Sequence, residues 1–234
     1  MNATLLLQLW ETGRSRPGQR AMLLQQAACP DAGAEEVRSA SPGERAHALL
    51  TWRERFFGAV MPCVADCAHC GERVEFDLRR VDLVADPIYI VPPEICVDDG
   101  SHHVRVRLPS VKAVEDARGD PERLFASCLI EANDGSRPVA PQDLPAAIRA
   151  RIERELLAAD PLLDPQLDLK CPACEHLWSA PFNAVAYCWS DVEGWARQMI
   201  LAVHRLAKAY GWSESEVLMM SASRREQYLQ LIGS

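Results

Sequence analysis

Apolar residues recur at helical spacing from the start of the chain. Leu5, Leu6, Leu9 and Trp10 line one face, and Gly13 to Gly18, with Pro17, reads as a turn. Ala21, Leu23, Leu24, Ala27 and Ala28 line a second face before Pro30-Asp31-Ala32-Gly33 breaks the pattern. Ser41-Pro42-Gly43-Glu44 is a helix start: serine at the cap, proline in the first turn and a glutamate that can reach back to the cap N–H. That helix carries Ala48, Leu49, Trp52 and Phe56 on one stripe and ends near Gly58.

The period then changes from helical to two. Val74-Glu75-Phe76-Asp77-Leu78 alternates, Ile88 to Val91 is a short apolar strand bounded by prolines, and His103 to Leu108 alternates again. Asp120-Pro121-Glu122 opens a helix through Leu124 and Leu129, and Asn133 to Ser136 reads as a loop. Gln142-Asp143-Leu144-Pro145 opens another over 146–159, with Ile148, Ile152, Leu156 and Leu157 inward, and Asp160-Pro161 ends it. The last quarter is helical. Asp191 to Tyr210 places Trp195, Met199, Val203, Leu206 and Tyr210 on one face, and Gly211 stops it. Ser213-Glu214-Ser215-Glu216 opens a short helix with Val217, Leu218 and Met219, and Ser221 caps a final one with Tyr228, Leu229 and Ile232.

The chemistry that stands out is two CxxC pairs, Cys67-Ala68-His69-Cys70 and Cys171-Pro172-Ala173-Cys174. A CxxC turn can aim both sulfurs at one ion, and zinc in structural roles favours a closed shell of four thiolates. Gly71 follows the first pair, where a left-handed residue suits the turn, whereas Glu175 holds the equivalent place in the second. Each pair runs into a strand pattern, the second through His176-Leu177-Trp178. Ordinary ribbons separate the pairs by roughly 15–20 residues. Here residues 71–170 intervene, so one shared ion requires a domain inserted into the ribbon. A redox dithiol would follow a buried strand and open a helix, and neither pair has that setting.

These patterns predict an α+β fold: a zinc ribbon interrupted by a small β/α insertion, flanked by an N-terminal helical segment and a C-terminal helical bundle. The expected segments are 1–60, 61–180 and 181–234. The expected metal ligands are Cys67, Cys70, Cys171 and Cys174, holding one structural Zn²⁺ per chain.

Composition narrows the function. The 234 residues are 48% hydrophobic with net charge −8, enough for a sizeable core and opposed to a general nucleic-acid binder, which shows a basic footprint. Arg14, Arg16 and Arg20, and Arg105 with Arg107, are the local basic clusters. Of nine cysteines, Cys29, Cys63, Cys96, Cys128 and Cys188 lie outside the pairs and read as small buried apolar residues. No apolar run approaches the ~20 residues of a membrane span. The first residues lack a basic flank and cleavage site, so a reducing cytoplasm is the expected setting.

Catalytic constellations are sparse. His102 and His103 beside Asp98 and Asp99 could form an Asp/His metal site, but read better as a polar loop. His69 and His176 lie within or beside the knuckles, where they could contact the sulfurs, His204 reads as partly buried, and His47 sits among charged helical neighbours. The deaminase His-x-Glu with Pro-Cys-x-x-Cys, the nucleophile elbow and the HExxH motif are absent from the sequence. The expectation is a non-enzymatic protein without a small-molecule substrate.

A family resemblance sharpens this. Leu9-Trp10-Glu11, the helix Arg20 to Ala28, Cys29-Pro30, Gly43-Glu44-Arg45, Leu49 to Gly58, the knuckle Cys67 to Glu72, and Val104 to Pro109 contribute. So do Asp160-Pro161, the second knuckle and Trp178. The ending contributes most: Trp195-Ala196-Arg197, Val203 to Ala207, Tyr210-Gly211-Trp212-Ser213 and Ser223 to Leu229. Together they resemble small zinc-ribbon proteins of the T4-type phage baseplate family, as encoded among contractile phage tails and phage-tail-like injection systems. The resemblance implies a structural or assembly component that binds other baseplate or tail proteins, either as an assembly factor in the cytoplasm or incorporated into a phage or phage-tail-like particle. Trp189, Trp195, Trp212 and Tyr228 would be anchors or core. The alternative function is a zinc-ribbon nucleic-acid-binding or transcription-associated module.

Overall fold

The structure is a computed structural model that describes residues 2–84, 89–135 and 137–233. Helix α1 (Ala3–Ser15) is capped by the Asn2 side chain, and α2 (Arg20–Ala28) follows a single 3₁₀ turn. Next come α3 (Ala34–Ser39) and α4 (Pro42–Phe57), whose start shows both hydrogen bonds of the Ser41/Glu44 capping box. Strands β1 (Val60–Asp66) and β2 (Arg73–Arg79) form an antiparallel hairpin around the first knuckle, followed by the short α5 (Arg80–Leu83). The insertion comprises β3 (Glu94–Asp98), β4 (His102–Arg107), α6 (Val111–Ala117), α7 (Pro121–Cys128), β5 (Leu129–Asp134), β6 (Arg137–Pro138) and α8 (Ala146–Ala159). Strands β7 (Gln166–Lys170) and β8 (Leu177–Pro181) form the second hairpin. The chain closes with α9 (Ala184–Tyr210), α10 (Glu214–Met219) and α11 (Ala222–Gly233).

The fold is therefore α+β, a ribbon of two hairpins split by a β/α insertion and flanked by helices. The four strands β3 to β6 form one antiparallel sheet in sequence order. Val97, Val104, Val106 and Ala132 of this sheet pack with Ile148 and Ile152 of α8, and Cys128 and Leu144 complete the buried cluster. On the sheet's other face Arg105 bridges Glu94 (3.0 Å) and Glu131 (3.5 Å) across three strands, so its charge is already matched.

Compactness does not follow the three successive segments 1–60, 61–180 and 181–234. One unit joins 1–27 to 185–234, and the other is 28–184. Residues 28–60 belong with the ribbon because polar ties hold them there. Asp160, fully buried, accepts from Ser41 Oγ at 2.7 Å and from the Tyr89 hydroxyl. The Tyr89 ring stacks on His47 with centroids 4.9 Å apart, and Arg80 pairs with Glu54 at 3.0 Å. Burial, together with the bond to Asp160, pushes the Tyr89 hydroxyl well above its ordinary pKa. Burial and then Arg80 hold His47 below its own. A Cβ on Gly43 would lie 1.6 Å from Asp160 Oδ1. Glycine is what allows this carboxylate to sit at the first turn of α4, where the open N–H groups favour negative charge.

In the other unit, α1 buries Leu6, Leu7, Trp10 and Gly13, not the Leu5 face; Leu5 is exposed. The helix runs on through Gly13 because the Trp189 ring fills that side, and a Cβ there would be 2.4 Å from its Cη2. Arg20 lies over the same ring at 4.4 Å and donates to the Gly13 carbonyl, while Arg14 lies over Trp10 at 5.3 Å. Two of the three arginines of that basic cluster thus lie over indole rings. Helix α9 buries Cys188, Trp189, Val192, Ala196, Met199, Ala202 and Leu206. The expected face is rotated from this: Trp195 and Val203 are half-buried and Tyr210 is exposed. Trp212 packs against Tyr210 and Tyr228, with centroids 4.5 and 4.8 Å away.

Other differences are local. The expected strand Ile88–Val91 is irregular over 89–91, and Ile88 with Pro87 lies outside the described residues; the strand is Glu94–Asp98 instead. The expected loop at Asn133 is the end of β5, and Ser136 lies outside the described residues. Leu157 and Phe56, expected inward, are exposed, and so are His204 and Cys96. No helix among the described residues is long and apolar enough to cross a membrane.

Candidate metal centre

Both knuckles are tight hairpin ends with the same backbone bonding. In the first, Gly71 N–H donates to the Cys67 carbonyl (2.9 Å) and Cys67 N–H to the Glu72 carbonyl (2.8 Å). In the second, Glu175 N–H donates to the Cys171 carbonyl (3.0 Å) and Cys171 N–H to the His176 carbonyl (2.9 Å). Gly71 has φ 73° and Glu175 has φ 58°, so the glutamate accepts the left-handed conformation that glycine takes without strain.

The fold brings all four predicted cysteines together. Their sulfurs lie within 4.8 Å of one another, with Cys67 to Cys174 at 3.7 Å and Cys70 to Cys171 at 3.6 Å. These distances are far beyond the ~2.05 Å of a disulfide. A tetrahedral shell with metal–sulfur bonds of about 2.3 Å has sulfur–sulfur edges of about 3.8 Å, so the residues fit a four-thiolate metal ion. The first cysteine of each pair, Cys67 and Cys171, is buried; Cys70 is exposed and Cys174 intermediate. The group is the one cluster of metal-ligating side chains of this kind among the described residues, and it could hold a metal ion.

Local electrostatics favour a cation here. The Cys70 backbone N–H, with a further N–H from His69, holds the Cys67 thiol down at about 6 despite its desolvation. Cys174 receives a lowering bond from the His176 N–H. Desolvation and the neighbouring sulfurs of Cys70, Cys171 and Cys67 outweigh it and push Cys174 up to about 12. Four thiolates this close cannot all ionise unaided; a bound cation removes that penalty. The rings of His69 and His176 pack on each other, centroids 5.3 Å apart, from opposite knuckles.

The Asp/His alternative does not assemble into such a group. Asp98 and Asp99 instead accept from the backbone of Gly100, Ser101 and His102, and each pairs with one histidine, at 3.4 Å for His103 and 3.5 Å for His102. Of the remaining cysteines, Cys128 and Cys188 are buried as small apolar residues, and Cys29 and Cys63 are intermediate. The sequence reading missed the strands that precede each CxxC turn. Val60 to Asp66, interrupted by Pro62, gave no alternation signal, yet a two-stranded hairpin tolerates proline because both its strands are edges. No protein-family model, characterised protein or solved structure matches the chain.

Proposed function

We propose that the four cysteines hold one structural Zn²⁺ and that the protein is a non-enzymatic structural or assembly component of a contractile-tail baseplate. The observation that carries the structural role is the closed set of four sulfurs drawn from hairpins separated by the whole insertion. Zinc chemistry needs an open position for water or substrate, and four protein thiolates occupy every vertex of the tetrahedron. Bound zinc would supply cross-linking strength, with Cys67 and Cys70 fixing one hairpin and Cys171 and Cys174 the other.

The tail-assembly reading rests on the sequence resemblance described above. It is supported by apolar side chains left in solvent on the unit formed by the chain's two ends. Leu5, Ile200, Leu201, Tyr210, Met219 and Leu231 are all exposed there, the kind of residue that partner proteins cover. The matching of Arg105 by two glutamates, with the net charge of −8, weighs against a nucleic-acid surface.

The test is co-expression with the sheath, tube and spike proteins of a contractile tail from the same genome. Co-purification of a baseplate component is expected. A chain that stays a lone monomer in their presence overturns the reading. Binding to DNA or RNA at low salt would instead favour the zinc-ribbon nucleic-acid module.

A further inference from the structure

A cleft of about 740 Å³ opens in the 28–184 unit among α4, α6, α7 and α8. Its volume lies within the ~300–1,000 Å³ of small-molecule sites. Its walls are apolar, with Phe125, Leu124, Ile152 and Leu156 continuous with the buried cluster beneath the sheet. Two arginines line it. Arg149 is fully engaged: it pairs with Glu122 at 2.6 Å, donates to the Pro141 carbonyl at 2.6 Å and lies over the Phe125 ring at 4.9 Å.

Arg45 is different. It is partly buried and lines the same cleft, yet its side chain makes no hydrogen bond or ion pair among the described residues. The carboxylate that attracts it, Glu115, is bridged to Arg38 at 3.6 Å. Desolvation lowers the Arg45 pKa, against the pull of Glu115, though arginine stays charged in any protein setting. A half-buried charge with no hydrogen-bonded partner is costly, and the guanidinium fork matches a carboxylate in two parallel hydrogen bonds. Glu153 and Asp164 also line the cleft, but both are exposed, where water and salt weaken their field. The desolvated charge that a ligand would meet is therefore positive.

We propose that this cleft binds a small amphipathic carboxylate, such as a medium-chain acyl anion, with its head on Arg45 and its chain along Leu124, Phe125 and Leu156. The inference depends neither on the metal nor on the tail-assembly reading.

The experiment titrates the full-length chain with decanoate, decanol and decyltrimethylammonium, each below its micelle concentration, by calorimetry. One decanoate should bind per chain, at least tenfold more tightly than decanol or the ammonium compound. Arg45→Gln should weaken decanoate at least tenfold and leave decanol unchanged. Ala150→Trp, at an exposed position lining the cleft, should block both. Absence of decanoate binding overturns the proposal, as does decanoate binding no tighter than the other two compounds. A folded Arg45→Gln that binds decanoate like the natural chain also overturns it. The head-group comparison on the unaltered chain decides the matter even where Arg45→Gln does not fold.

Discussion

The ribbon hairpins and the inserted sheet use strands of similar length, but they bury very different amounts of themselves. In the inserted sheet Val97, Val104 and Val106 are at most 1% exposed. In β7 and β8 every residue is exposed or intermediate, and β1 and β2 each bury a single side chain, Met61 and Leu78. Alternation in sequence therefore does not say what holds a strand. The inserted sheet is held by apolar packing worth about 25 cal/mol per Å² of buried surface. The hairpins have little of that, and two-stranded ribbons are marginal alone in water. A metal ion held by the four sulfurs, as proposed above, would supply the missing cohesion.

The sharpest way to break this contrast is to remove the proposed zinc. Structural zinc contributes roughly 10–16 kcal/mol of apparent binding energy in small zinc domains at neutral pH. Chelation, or Cys171→Ser, should abolish hydrogen-exchange protection across 60–79 and 166–181 while protection at Val104 and Val106 persists. Elemental analysis should find one zinc per natural chain and none in Cys171→Ser. Simultaneous loss of protection in both regions would mean that the insertion is not independently stabilised.

The converse perturbation is Ile152→Ala, which empties the centre of the insertion's core. A cost of about 2–5 kcal/mol is expected from the lost burial and the cavity, read as a lowered urea midpoint with zinc content unchanged. Gly43→Ala comes next, with a cost of about 1–3 kcal/mol for forcing a methyl against the Asp160 carboxylate. That cost should shrink in an Asp160→Gly background, and thermal melts of the four proteins of this double-mutant cycle measure the coupling. The smallest effect is a gain. Glu175→Gly relieves the left-handed strain of the second knuckle and should stabilise the metal-bound protein by about 0.5–1 kcal/mol. An unchanged melting temperature would show that the Lys170 ion pair with Glu175, at 3.8 Å, offsets that strain.

The four-sulfur cluster was legible because cysteine spacing is a local signal tied to one geometry. Four residues at two CxxC turns sufficed, and the intervening length itself indicated an insertion. Helix starts were equally legible at Ser41 and Ser213, where both capping-box hydrogen bonds form. Less visible were the elements whose signal is tertiary. Strand β3, Glu94-Ile95-Cys96-Val97-Asp98, is bracketed by acids, and the stronger apolar run just before it drew the strand assignment away. The buried face of α9 is built partly from Cys188, Ala196 and Ala202, small residues that let neighbours approach. The sequence pattern followed the bulky Trp195 and Tyr210 instead. The Asp160 network joins residues from three places in the chain, and no periodicity announces it. The cleft at Arg45 is a void, and voids leave no mark on sequence.

One feature of the chain's topology bears on how the protein is made. Residues 1–27 form one unit with 185–234, and the sulfurs of Cys67 and Cys70 cluster with those of Cys171 and Cys174. On the ribosome, at ~5–20 residues per second, the first helices wait on the order of 10 s for the segment they pack against. The middle of the chain can gather its core during that time, while the ends and the metal shell close last. A nascent or truncated chain would thus present neither the finished helical unit nor a complete sulfur shell, so both become available for assembly only after synthesis has passed through the second knuckle and the terminal helices.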